Sequence, residues 1–116
     1  MNKLQIAEAM IAAYNAQDVD TYVSYMTDDA CEANYRGAVL REGKEGVRSG
    51  LAAAFVRWPQ NRAEIVSREV TENYVVFRAH VTRGPATDGS ELVAPFDVLA
   101  VYSFADDKCS RVEFIR

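Results

Sequence analysis

Apolar positions recur along this chain with two different periods. Over residues 3–14, Ala7, Met10, Ile11 and Tyr14 fall on one stripe at helical spacing. The polar run "NAQD" interrupts that stripe, and Asp18 is a favourable N-cap for a second, short helix. Val19, Tyr22, Val23 and Met26 share one face of it, and "TDDA" ends it. Residues 30–36 read as a short strand. Gly43 then opens a third helix that runs to about residue 57, with Val47, Leu51, Phe55 and Trp58 aligned and Pro59 past its end. Gly46 and Gly50 lower the helix propensity of this segment and would let another backbone approach closely.

After Pro59 the period changes. Residues 62–71, 74–83, 91–104 and 109–116 are rich in Val, Ile, Phe, Tyr and Thr, the residues of a pleated, half-buried surface. Turn signals separate these runs: "TEN" near 72, "TDGS" at 87–90 and "ADDK" at 105–108. Helices followed by antiparallel strands predict an α+β domain spanning 1–116, a curved antiparallel sheet wrapped around three N-terminal helices.

The "TDGS" segment also sets a register. Asp-Gly favours a two-residue hairpin turn, and with Asp88 and Gly89 at its tip, His80 faces Asp97, Arg78 faces Leu99 and Thr82 faces Pro95. Side chains alternate along a strand, so Arg78, His80, Asp97, Leu99 and Val101 share one face. Phe77, Ala79, Val81, Phe96, Val98, Ala100 and Tyr102 share the other. Directly opposed residues bring a carboxylate within hydrogen-bonding reach of an imidazole. This accounts for Asp97 inside the otherwise apolar run "ELVAPFDVLAVYSF", where an unpaired carboxylate would be costly to bury. The second face is apolar along both strands. With few helices to cover both faces of the sheet, it reads as an outer, self-associating surface, and a twofold dimer through Phe96, Val98, Ala100 and Tyr102 is expected.

Composition narrows the function classes. The chain has 116 residues, 49% of them apolar and 26% charged, which suits a globular domain with one core. Its net charge of −4 and the absence of any Lys/Arg-rich run argue against nucleic-acid or anionic-membrane partners. No apolar run reaches membrane-spanning length and the N-terminus does not read as a signal peptide. The two cysteines, Cys31 and Cys109, have no CxxC partner and read as reduced thiols of a cytoplasmic protein. A single histidine argues against a zinc site, and Asp28 and Asp29 lack further clustered oxygens. Tyr14, Tyr22, Tyr25, Phe55 and Trp58 follow helical stripes and read first as core, with Trp58 the best aromatic candidate for a pocket wall.

Three segments, "AAYNAQDVDTYVSYMTDDA", "REGKEGVRSGLAAAFVRWP" and "LVAPFDVLAVYSFADDKCSRVEFI", in this order and spacing resemble the SnoaL-like and ketosteroid-isomerase-like members of the nuclear transport factor 2-like superfamily. The resemblance implies a cone-shaped α+β barrel with an interior pocket and, frequently, dimers through the sheet's outer face. It carries the isomerases' hydrogen-bonding acid onto Asp97 of "VAPFD". The isomerases' other active positions fall on Met10, Asn34 and Leu51, which do not match, so steroid isomerisation is not implied. Acid–base chemistry without cofactor or metal is, with Asp97 orienting His80 and with Asn34 and Arg78 polarising an apolar, carbonyl-bearing ligand. Met10, Leu51, Trp58 and Leu99 complete the expected ligand site. The alternative is a non-catalytic ligand-binding or dimerisation module.

Overall fold

The computed structural model describes residues 1–116. Helix α1 (Lys3–Asn15) starts at a capping box: the Asn2 side chain accepts from the Gln5 amide, and the Gln5 side chain accepts from the Asn2 amide. Helix α2 (Val19–Ser24) is capped by Asp18, which accepts from the Thr21 amide at 3.1 Å. Strand β1 (Met26–Asn34) is longer than the pattern suggested. It turns into a short β2 (Val39–Glu42), which the pattern did not reveal. Helix α3 (Gly43–Arg57) follows, then strands β3 (Arg62–Val70), β4 (Tyr74–Thr82), β5 (Phe96–Ala105) and β6 (Lys108–Ile115). No helix is long and apolar enough to cross a membrane.

The six strands form one sheet in the order β2-β1-β6-β5-β4-β3. Neighbours are antiparallel except β1 and β6, which run parallel, so the sheet is mixed, and β2 and β3 leave it open at both edges. Bulges or register shifts within β3 and β5 bend the strands, which curl around the helices.

The β4–β5 register is the expected one, with His80 opposite Asp97 and Arg78 opposite Leu99. Its closure differs. The tip is a four-residue loop, Thr87–Ser90, bounded by Ala86 donating to the Glu91 carbonyl, and Gly89 takes φ 69° there. Proline 95 delays β5, which begins at Phe96 rather than at 91.

The two faces of the sheet are the reverse of the expected assignment. Phe77, Ala79, Val81, Val98, Ala100 and Tyr102 are buried beneath the helices, in the core or the cavity wall. Phe96, Val98, Ala100 and Tyr102 therefore do not form an outer face on which a second copy could dock. A sheet covered on one side only turns its more apolar face toward the cover. The polar face, with Arg78, His80 and Asp97, turns to solvent.

The main core unites Ile6, Met10, Val23, Met26, Val47 and Phe77 with neighbours from every helix. Gly50 of α3 makes room for a side chain rather than a backbone: a Cβ there would stand 2.7 Å from Arg41 Cδ and 2.8 Å from its Nε. A Cβ at Gly46 would meet nothing within 4 Å.

Candidate functional site

Between the helices and the concave face lies a cavity of about 720 Å³, lined by 23 residues of which 17 are hydrophobic. The walls come from the alternation of β4 and β5, which sends Ala79, Val81, Phe96, Val98 and Ala100 inward, and from Leu51 and Phe55 of α3. Small residues at 79 and 100 leave space that larger side chains would fill. The polar lining groups are Glu32, Asn34, Arg41, Asn61, Arg83 and Arg116.

One polar cluster centres on Glu32, which is 1% exposed. Its Oε1 accepts from Arg41 Nη1 at 2.8 Å and its Oε2 from the Tyr22 hydroxyl at 2.6 Å. Burial raises the Glu32 carboxyl above its ordinary range, while Arg41 and the Tyr22 hydroxyl pull it back down. Burial, then the Glu32 charge, pushes the Tyr22 hydroxyl well above the usual tyrosine value. Both oxygens of Glu32 are therefore engaged, and the carboxylate anchors Arg41 at the cavity wall.

A second cluster begins at α1. The Asn15 side chain donates to the Ala63 carbonyl and accepts from the Ala63 amide, both at 2.8 Å, which ties the end of α1 to edge strand β3. Next to it, the Tyr14 hydroxyl accepts from Asn61 Nδ2 at 2.5 Å, and Asn61 Oδ1 accepts from Arg83 Nη1 at 3.2 Å. Each donation polarises the next group. The Tyr14 hydroxyl proton remains free to point into the cavity.

Tyr102 is 2% exposed and lines the same cavity. No protein group bonds its hydroxyl, yet no fully enclosed side-chain polar atom lacks a partner. The hydroxyl therefore opens onto the cavity. Burial, followed by the proximity of Cys109, Glu32 and Tyr14, raises it well above the ordinary tyrosine value, so it stays a neutral donor.

The residues expected from sequence divide into three groups. Asn34 and Leu51 line the cavity. Met10, fully buried, lies within the core, and Trp58 stands just outside the lining, where Arg57 and Arg83 lie 5.2 and 5.9 Å from its ring centroid. Arg78, His80, Asp97 and Leu99 lie on the opposite side of the sheet. His80 Nδ1 and Asp97 Oδ1 are in contact at 2.8 Å, but the two side chains are 46% and 51% exposed and do not line the cavity. The juxtaposition is as expected and the sheltered setting is not. Glu32, Arg41, Tyr14, Asn61, Arg83 and Tyr102 stand where ligand-facing groups were sought. No three His, Cys, Asp or Glu side chains gather in a metal-binding cluster.

A curved sheet closed by three helices over an apolar cavity is the α+β cone of the nuclear transport factor 2-like fold. The chain belongs to the SnoaL-like domain family, whose sequence model matches residues 7–112. It is similar to a cystatin-fold protein from Novosphingobium aromaticivorans, with 78% identity and a TM-score of 0.98 over 100% of this chain and 99% of that one. At the level of fold it is also similar to a Jannaschia sp. CCS1 protein provisionally named a SnoaL-like polyketide cyclase (20% identity, TM-score 0.76, 97% and 83% covered). A Catenulispora acidiphila protein with a ketosteroid isomerase-like fold, solved in complex with trimethylamine, shares 14% identity and a TM-score of 0.79 over 99% and 87%. Among curated proteins, none matches the chain.

Proposed function

We propose that this protein binds a small, largely apolar molecule bearing a carbonyl oxygen, held inside the cone with the Tyr102 hydroxyl donating to that oxygen. The open hydroxyl of Tyr102 carries this reading. A neutral donor in an apolar, mostly buried wall gains most from an acceptor delivered by a guest. Tyr14, polarised by Asn61, supplies a second donor on the same cavity. The exposed His80–Asp97 pair takes no part.

A cofactor-independent acid–base enzyme is the second reading, and Glu32 favours it. Glu32 is a buried carboxyl on the cavity wall, raised above its ordinary range by burial, and groups perturbed in this way are candidates for acid–base work. Proteins of this fold provisionally named polyketide cyclases lend it weight. One experiment separates the two readings. A panel of hydrophobic ketones and quinones is screened by thermal shift, and each stabilising mixture is then followed by mass spectrometry for conversion. Stabilisation without conversion supports the binding module. Conversion abolished by Glu32→Gln supports the enzyme. A panel without any stabilising compound would overturn the pocket reading.

A further inference from the structure

We propose that the mouth of this cavity selects ligands carrying a carboxylate, recognised by Arg83 and Arg116, with the apolar body of the ligand directed inward. This rests on the pocket reading above and adds the charge of the guest.

Two guanidinium groups approach the Phe96 ring, Arg83 at 5.5 Å and Arg116 at 3.8 Å from its centroid. All three residues line the cavity. Five arginines are matched with acids, Arg41 with Glu32, Arg48 with Asp20 and Glu45, Arg57 with Glu91, Arg68 with Glu8, and Arg111 with Glu113, while Arg36, Arg62 and Arg78 are unpaired but lie away from the cavity lining. Arg83 and Arg116 have no carboxylate side chain of this chain within ion-pairing distance. The one acidic side chain on the cavity, Glu32, is already held by Arg41. The cavity lining therefore carries three arginine side chains, Arg41, Arg83 and Arg116, against the single carboxylate side chain of Glu32, in a chain whose net charge is −4. Such a local field, walled by low-dielectric side chains, attracts anions and repels cations.

The geometry favours a planar, singly charged anion. Arg83 is fixed before any ligand arrives: one N–H is spent on Asn61 Oδ1 at 3.2 Å, and its guanidinium lies 5.9 Å from the Trp58 ring centroid. Its remaining N–H groups form the rigid fork that accepts a carboxylate through two parallel bonds. Behind it, Val81 and Val98 continue the apolar wall, which suits a ring or chain attached to that carboxylate. A doubly charged phosphate would lose far more hydration against the same walls.

The test uses matched probes, 2-naphthylacetate and its neutral analogue 2-naphthylacetamide, titrated into the full chain by calorimetry at pH 7. The acid is expected to bind about tenfold more tightly than the amide at low salt, since charge-assisted bonds are roughly twice as strong as neutral ones. That preference should shrink several-fold between 20 and 300 mM NaCl, where screening of the exposed Arg116 is strong, roughly. In Arg83→Gln, which keeps a polar but uncharged side chain, acid and amide should bind within about twofold of each other. Equal or tighter binding of the amide by the unaltered chain would overturn the inference and leave the pocket reading intact. An acid preference that persists in the Arg83→Gln, Arg116→Gln double variant would also overturn it. Failure of both probes to bind at millimolar concentration would overturn the inference and the pocket reading together.

Discussion

Replacing Arg41 with methionine strands the Glu32 carboxylate. Glu32 is 1% exposed, and Arg41 is its one cationic partner, at 2.8 Å. Methionine keeps most of the aliphatic bulk but removes the charge. Leaving a buried member of an ion pair uncompensated costs about 3–5 kcal/mol. Arg41 is itself 24% exposed, so part of its effect is already screened, and about 2–4 kcal/mol is the expected loss at pH 7. For a domain of this size that corresponds to roughly 3–5 °C in Tm per kcal/mol, or about 10 °C in all. The loss depends on pH, with a sign that follows from the raised Glu32 carboxyl. A group that binds its proton more tightly folded than unfolded penalises folding as pH rises from the unfolded pKa through the folded one. Removing Arg41 raises the folded value further, so the penalty deepens. The variant should therefore be nearly as stable as the parent at pH 4 and progressively less so toward pH 8. Glu32→Gln in the same background should recover most of the loss, because a neutral amide needs no counter-charge. Urea unfolding followed by circular dichroism at pH 4, 6 and 8 reads all four chains of the double-mutant cycle. A pH-independent loss, or no recovery in the double variant, would refute the assignment of Glu32 as a buried carboxylate held by Arg41.

Three further outcomes are expected. Gly46→Ala should stabilise α3 by up to about 1 kcal/mol, since its Cβ meets nothing. Gly50→Ala should give no such gain, because its Cβ collides with the Arg41 side chain that reaches Glu32, and equal gains at both sites in thermal unfolding would contradict this. His80→Ala and Asp97→Asn should each shift stability by less than about 1 kcal/mol, as exposed pairs do; a much larger loss in urea unfolding would show that the outer face is covered in solution. Burial pushes the Cys109 thiol up to about 12, so aromatic disulfide reagents at pH 8 should titrate at most one thiol per native chain and both after unfolding. Reaction of Cys109 as fast as that of Cys31 would count against the packing of β6.

Local signals made much of the fold legible. Asp18 marked the start of α2, Gly43 and Pro59 bracketed α3, and Asp88-Gly89 gave the β4–β5 register even though the loop is longer than a two-residue turn. Strand β2 was not legible because it has four residues and little burial to pattern it. The parallel β1–β6 pairing joins distant parts of the chain with no turn to announce it. The site was harder to read. Alternation says which residues share a face, but not which face meets the helices. Counting apolar side chains on each face would have turned Phe96 and Tyr102 inward and Asp97 outward. Tyr14 sat on a helical stripe, and a stripe cannot distinguish a core position from a cavity wall, since both are apolar. Glu32 was visible as an acid in "DACEAN", on the same side of β1 as Asn34. Only the tertiary placement of Arg41 and Tyr22 gives it partners.

The most direct measurement of the proposed site is calorimetric binding of 2-acetonaphthone, a neutral ketone, to the parent chain and to the Tyr102→Phe and His80→Ala variants. Loss of one neutral hydrogen bond is worth about 0.5–1.5 kcal/mol, so Tyr102→Phe should weaken binding by roughly two- to tenfold, while His80→Ala leaves it unchanged. Unaltered affinity in Tyr102→Phe together with a loss in His80→Ala would contradict the account and move the site to the opposite side of the sheet.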